Sequence, residues 1–339
     1  MHMRLIFGLI FILLAPSMVS AQSCSGRDLS AQMPAAARAA LDAALAAQPY
    51  PEGLLWQAKR GDTTIWLFGT YHLYDAEALK FMGRIRPLIQ LADTVFVEGT
   101  TEDMDRLKSE TLRRPELMFN YDNPTLPDSL SEADWQVLSA EIKARGIPPF
   151  LAAKMAPWLV SVTLSLPVCA VKLMAEGKKG LDFQIMEYAS AEGKPIKALE
   201  RFDTILTIFA DLSFEDQIKM VQSAIPSLAN GEDAFATMRA QYLNGRVLEI
   251  WEFSRLLAYE HSTFSRAEVD EMMATTEISL MRDRNLDWLS RLLPEAEGKT
   301  VFLAAGALHL AGRHGLLTLL DQRGFELMRL DAGGKSGDE

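Results

Sequence analysis

The chain has no HExxH helix and no GxSxG elbow, so the common signatures of a zincin and of a serine hydrolase are both missing. Lysine and arginine never gather into a stripe; they number 34 against 45 acids, and the formal charge of −11 argues against nucleic acid as a partner. Cysteine is nearly absent, with Cys24 and Cys169 alone in 339 residues. The apolar segment near the amino terminus, Leu5 to Ala15, is too short for a membrane span. Gly334-Lys335-Ser336 has the residues that close a phosphate loop, but neither a strand before it nor a helix after it, and reads as a polar tail.

What the amino terminus does contain is Arg4, the apolar segment and then Val19-Ser20-Ala21, with small residues at the minus three and minus one positions. That order predicts a secretory signal over residues 1–21, cut after Ala21, the alternative being an uncleaved anchor. The mature chain, 22–339, is then periplasmic or secreted, with no stable membrane span. Cleavage removes one arginine and no acid, which leaves the mature protein more acidic still. In an oxidising compartment the two cysteines either form one disulfide or leave Cys169 buried in the apolar stretch around Leu164 to Met174, with Cys24 free. Hydrophobic residues make up 49% of the chain, enough to fill the core of one large domain.

One short pattern occurs twice, as Gly69-Thr70-Tyr71-His72-Leu73 and Gly306-Ala307-Leu308-His309-Leu310. Each copy closes a short apolar run rich in β-branched or aromatic residues, Thr64 to Phe68 and Val301 to Ala305, of the kind that forms a buried strand. An amphipathic stretch and another apolar run follow each: residues 76–91 then Thr94 to Glu98, and 314–323 then Phe325 to Leu330. The unit strand, GxxH, helix, strand is therefore read twice. Glu98 ends one apolar run, and Glu200 ends another, Pro195 to Leu199, after a helical stretch over 182–192.

This arrangement predicts an α/β (or α+β) fold whose mixed sheet is built from the two units. Loops at the carboxyl ends of parallel strands line one edge, where His72, Glu98, Glu200 and His309 could converge. Two neutral imidazoles and one or two carboxylates suit a divalent transition metal with positions left open for water. The glycine three residues before each histidine permits a sharp turn or a close approach.

Large helical insertions interrupt this core at about 101–180 and 205–295, the first broken by Pro124, Pro127 and Pro148-Pro149 and opening one helix at Ser131. The alanine-rich stretch over residues 31–47 reads as a packing helix. Met155, Met174 and Met186 read as core filling, and His261 and His314 as solvated or capping residues.

The chain resembles the TraB/PrgY/GumN family, to which the TIKI metalloproteases are related. The resemblance rests on FGTYHL, ADTVFVE (Ala92 to Glu98), GLDFQIMEYASAEGKPIKALE (Gly180 to Glu200), RNLDWL (Arg284 to Leu289) and AAGALHLAGRHGLLTLLDQRGFEL (Ala304 to Leu327). It implies a metal-dependent, hydrolase-like site using His72, His309 and Glu98, with Glu200 and Arg284 as further catalytic candidates. The divalent metal would be Mn, Co or Zn, and the substrate a peptide or a small molecule with an amide or ester bond. Where this family often has Leu-Glu-Thr the chain has Leu199-Glu200-Arg201, a departure that bears on the loop more than on the acid. The alternative function is a binding protein of the same fold that sequesters a peptide or other ligand without turnover. Which glutamate is ligand and which is base stays open at this point.

Overall fold

The computed structural model describes residues 24–331, so the expected signal segment, residues 1–21, and Gly334-Lys335-Ser336 lie outside the described residues. Six strands form one mixed sheet: β1 (Leu55–Arg60), β2 (Thr63–Thr70), β3 (Thr94–Val97), β4 (Ile196–Ala198), β5 (Thr300–Gly306) and β6 (Glu326–Arg329), in the order β4-β3-β5-β2-β1-β6. β2, β3, β4 and β5 run parallel, and β1 is antiparallel to both of its neighbours. β1 and β2 form a hairpin across Gly61-Asp62, where Gly61 takes φ +57, a backbone that residues with a Cβ adopt at a cost.

Both predicted units are present. β2 leads through helix Met82–Leu91 to β3, and β5 leads through helix Leu316–Asp321 to β6. The first crossover passes over β5 and the second over β2 and β1, so the two units interleave and set β2 beside β5 at the centre.

Alternation along the strands explains why the sheet is covered on both faces. Phe68, Val95, Val97, Phe302 and Ala304 point to one side, against Ile85 and Ile89 of helix Met82–Leu91 and Ile185, Met186 and Ala189 of helix Leu181–Ala191. Ile65, Leu67, Phe96, Val301, Leu303 and Ala305 point to the other, against Trp288, Leu289 and Leu292 of helix Asp283–Ala296 and Leu316, Leu317 and Leu320. Helix Asp283–Ala296 falls within the second insertion as read from the sequence, yet it packs on the sheet.

Other helices of the insertions share a separate apolar core, in which Leu138, Ile142 and Val160 meet Ile218 and Val221, whereas Phe235 and Tyr242 of helix Gly231–Leu243 and Val247 and Ile250 of helix Val247–His261 join the cluster on the first face of the sheet. Ser131 caps helix Glu132–Ala144 by accepting from the Asp134 N–H at 3.1 Å. Met155 and Met186 are buried, whereas Met174 is half exposed and fills no core. Cys24 and Cys169 are joined in a disulfide with Cα atoms 5.4 Å apart, which decides between the two expectations for the cysteines.

Candidate functional site

β2 and β5 are in register with Thr70 opposite Gly306, so the segments carrying His72 and His309 leave the sheet side by side. Glu98 follows β3 and Glu200 follows β4, and the Glu200 N–H bonds the Glu98 carbonyl at 3.3 Å. Arg284 reaches the same edge from the first turn of helix Asp283–Ala296. The structure therefore brings all five sequence-predicted site residues to one edge of the sheet.

His309 is buried in a short 3-10 turn against the Trp288 ring, with centroids 4.3 Å apart. Its Nδ1 lies 2.7 Å from Asn285 Oδ1. Asn285 Nδ2 donates to two carbonyls, of His309 at 3.2 Å and His314 at 2.8 Å, which fixes the amide with its oxygen toward the ring. The His309 proton is thus assigned to Nδ1, and Nε2 presents its lone pair to the site. Burial holds this imidazole neutral, lowering its pKa to about 3.

His72 has the same arrangement with a different partner. Its Nδ1 is 2.9 Å from Asp182 Oδ2, while the other Asp182 oxygen accepts from Thr70 Oγ1 at 2.5 Å. Its Nε2 faces Glu98 Oε1 at 4.0 Å, and 61% of the side chain is exposed. The Asp182 charge first, with its hydrogen bond and the Glu98 charge behind it, pushes the His72 pKa up to about 10 against the opposing effect of burial. Asp182 stands in the first turn of helix Leu181–Ala191, whose start packs so closely on the His72 segment that a Cβ on Gly180 would lie 2.1 Å from the His72 carbonyl oxygen.

The two acids differ. Glu98 Oε1 accepts the Gly306 N–H at 2.6 Å and its Oε2 accepts from Arg284 Nη2 at 2.7 Å. Burial alone would raise its pKa; the surrounding charges of His309, His72 and Arg284 and the Gly306 N–H outweigh this and hold it near 2. Because His309 is itself neutral near pH 7, the cations that act there are Arg284 and His72. Glu200 has no free oxygen: Oε1 accepts from Arg284 Nη2 at 2.9 Å, and Oε2 from Arg284 Nε at 2.8 Å and Trp288 Nε1 at 2.9 Å. Glu98 is the acid that faces His72 Nε2, and Glu200 is engaged wholly by Arg284 and Trp288.

The donor set can be tested against a divalent metal. Both histidines have Nδ1 engaged by a second group, which is how protein scaffolds orient a metal-binding Nε2. A Cβ on Gly306 would lie 2.9 Å from His72 Nε2 and 3.3 Å from Glu98 Oε1, so the glycine leaves space between two of the donors. Among the described residues no three His, Cys, Asp or Glu side chains are already drawn together as a ligand set. The reason is visible: Arg284 Nη1 stands 3.1 Å from His309 Nε2. A metal on His309 Nε2 would have to displace that contact.

Sequence reasoning did not assign Thr70, Asp182, Asn285 or Trp288 to the site. Cavities of about 300 Å³ and about 270 Å³ lie among the helices of the insertions, and none of the site residues lines either.

The buried neutral imidazole has a consequence for stability. With its pKa at about 3 instead of 6.5, the unfolded chain binds this proton first, so stability declines as the pH falls from about 6.5 toward 3. Glu98, at about 2 instead of 4.5, adds stability above its unfolded value that is lost as the pH falls toward 2. The stability His72 contributes is fully present below its ordinary value and is lost only as the pH rises toward 10, so it does not offset the acid loss. With a chelator present, denaturant midpoints should start to fall near pH 6, and His309→Gln should remove this upper part of the decline. A wild-type midpoint that stays flat from neutrality down to about pH 4.5 contradicts the assignment.

A family model described as TraB/PrgY/gumN matches residues 54–329 of the chain. The Escherichia coli (strain K12) protein named "Uncharacterized protein YbaP" is 26% identical over 288 residues, covering 78% of this chain and 96% of that protein. A protein of the same name from Shigella flexneri matches to the same extent.

Proposed function

Starting from a chain that belongs to the TraB/PrgY/gumN family, we propose that it is an exported, metal-dependent hydrolase acting on peptide or other amide or ester bonds. The observation that carries the reading is the pair of Nδ1-anchored imidazoles, His72 with its Nε2 4.0 Å from the ionised Glu98 and His309 with its Nε2 on the same Arg284 guanidinium that holds Glu98, beside the side-chain-free Gly306. His72 Nε2, His309 Nε2 and Glu98 would hold the ion. When bound, a divalent ion of the Mn, Co or Zn type supplies an acidified water and polarisation of the scissile carbonyl.

The protein groups do the rest. Asp182 and Asn285 keep the two rings in one tautomer and one orientation. His72 gives up its Nε2 proton when it acts as a ligand, so metal uptake releases a proton and weakens as the pH falls. Glu98, whose Oε1 lies 4.0 Å from His72 Nε2, would also receive the proton of the attacking water. Glu200, with both oxygens engaged, positions Arg284. Arg284, once its Nη1 contact with His309 is given up, would offer that N–H to a developing oxyanion or to a substrate carboxylate. Export rests on the amino-terminal signal pattern.

Elemental analysis of the purified mature protein, followed by a peptide-library cleavage assay with added Mn²⁺, Co²⁺ or Zn²⁺, tests the reading. About one ion per chain and metal-dependent cleavage are expected. Metal without turnover points instead to the ligand-sequestering alternative, and no metal under any condition ends the metallohydrolase reading.

A substitution at Gly306 offers a sharper check. In Gly306→Ala the new methyl meets the far ends of two side chains, which can move, so the fold should survive while the space between the donors is filled. Metal affinity should fall at least about tenfold, the scale on which disturbed supporting groups act. Unchanged metal binding by calorimetry would place the ion somewhere else.

A further inference from the structure

A guanidinium has five N–H donors, and in Arg284 all five are used. Nε and Nη2 form a fork on Glu200, Nη2 also reaches Glu98 Oε2 at 2.7 Å, and Nη1 donates to the Leu280 carbonyl at 3.2 Å and to His309 Nε2 at 3.1 Å. The acceptors are not equivalent. A carboxylate oxygen has two lone pairs and can serve an arginine and a metal together, whereas an imidazole nitrogen has one and serves a single partner. The His309 lone pair is therefore contested between Arg284 and any metal.

The contacts on the far side of the guanidinium do not involve the histidines. The Glu200 fork is itself braced by Trp288 Nε1 at 2.9 Å, and the Arg284 Cζ lies 4.8 Å from the Trp288 ring centroid. The accepting Leu280 belongs to the five-residue π-helical turn Ile278–Arg282, directly before the helix that carries Arg284. Such turns alter the carbonyl ladder locally and recur at functional sites. Four of the five hydrogen bonds are thus compatible with a bound ion, and one is not.

We infer that Arg284 is the built-in cation of this site: it bridges Glu98 and Glu200 when no divalent ion is held, and yields His309 Nε2, while keeping its Glu200 fork, when one is. This rests on the metal-binding reading above and adds to it a competition within the chain. The protein would fold with its site electrostatically complete before metal arrives, and its metal affinity would be lowered by the contact that must be broken. The N–H released from His309 is then available to a substrate oxygen.

The test uses the full mature protein and Mn²⁺ as probe, with Zn²⁺ in parallel, comparing wild type with Arg284→Gln. In chelator the variant should melt below wild type, because the buried Glu200 is left without its ion-pair partner and Glu98 without one of its two. Mn²⁺ should raise its melting temperature by more than it raises that of wild type. Calorimetry should show at least about tenfold tighter binding, since removing a unit positive charge a few ångströms from the ion is worth more than this at interior dielectric. Should Arg284→Gln fail to fold, Arg284→Lys keeps the charge without the planar fork and reads the same competition through its affinity and melting shift. Wild type that binds Mn²⁺ or Zn²⁺ while both variants bind equally or more weakly overturns the inference and leaves the metal reading standing. No binding to wild type or to either variant overturns both.

Discussion

Replacing His72 by alanine is expected to strip the protein of its divalent ion and to lower kcat/KM on a cleaved peptide by at least about 10³-fold, roughly 4 kcal/mol of transition-state stabilisation. The melting temperature in chelator should fall modestly, because the ion pair with Asp182 is lost but the side chain is 61% exposed, where solvent screens such a pair, and Asp182 keeps its bond to Thr70. His309→Ala should produce the same loss of metal and turnover but with a lower melting temperature. There the ring is buried, and its removal leaves Asn285 Oδ1 and one of the two N–H groups of Arg284 Nη1 without a partner, each at about 1–3 kcal/mol. The contrast separates a shared role in the site from unequal roles in the fold. Asn285→Ala, which frees the His309 ring to take the wrong tautomer, should weaken metal binding by about 10–100-fold without touching the ion. A His72→Ala protein that retains its metal and its turnover would remove the foundation of the site.

The duplicated unit was legible because it depends on local signals. The apolar runs that became β2, β3 and β5 are short and β-branched or aromatic, and each is followed within a few residues by His72, Glu98 or His309. Strand ends in a parallel sheet share one edge whatever the order of the strands, so convergence was predictable even though the interleaved crossovers were not. β1 was missed because Gln57, Lys59 and Arg60 break its apolar run, and the cue that remained was the Gly61-Asp62 turn between two strand-like segments. Glu98 and Glu200 look alike in sequence, each ending a strand. Their difference is imposed by Arg284 and Trp288, more than eighty residues from either, and no local pattern encodes it. Asp182 and Asn285 escaped for a related reason: they act by holding another side chain, and an acid in the first turn of a helix has the ordinary explanation of favouring the helix dipole. A usable cue was the spacing of Arg284, Asn285 and Trp288, which sets all three toward one side of a helix.

The second large effect concerns the fold. Reduction of the Cys24–Cys169 bridge, or its replacement by serine at both positions, is expected to lower stability by about 5 kcal/mol under the chain-entropy model for its sequence separation of 145 residues. Set against a typical total of about 5–15 kcal/mol, this is a large share. Spread over the unfolding entropy of a domain this size, it corresponds to a fall of roughly 8 °C in melting temperature. The bridge ties two parts of the helical region together. The segment after Cys24 runs along helix Gly231–Leu243, where Arg27 N–H donates to Asp233 at 2.8 Å and Leu29 N–H to Thr237 at 2.8 Å, while Cys169 lies in helix Val168–Ala175 of the other insertion. Helix Gly231–Leu243 also carries Tyr242, whose hydroxyl donates to the Gly69 carbonyl at 2.9 Å and so braces the turn that presents His72. Loss of the bridge should therefore narrow the temperature range of activity from above while leaving the rate at low temperature nearly unchanged. Melting curves with and without reductant, taken alongside the double serine variant, measure the first effect, and initial rates across temperature the second. Equal melting temperatures for all three samples would mean that the amino-terminal segment is held by its hydrogen bonds alone, and that an oxidising compartment adds nothing to the stability of this fold.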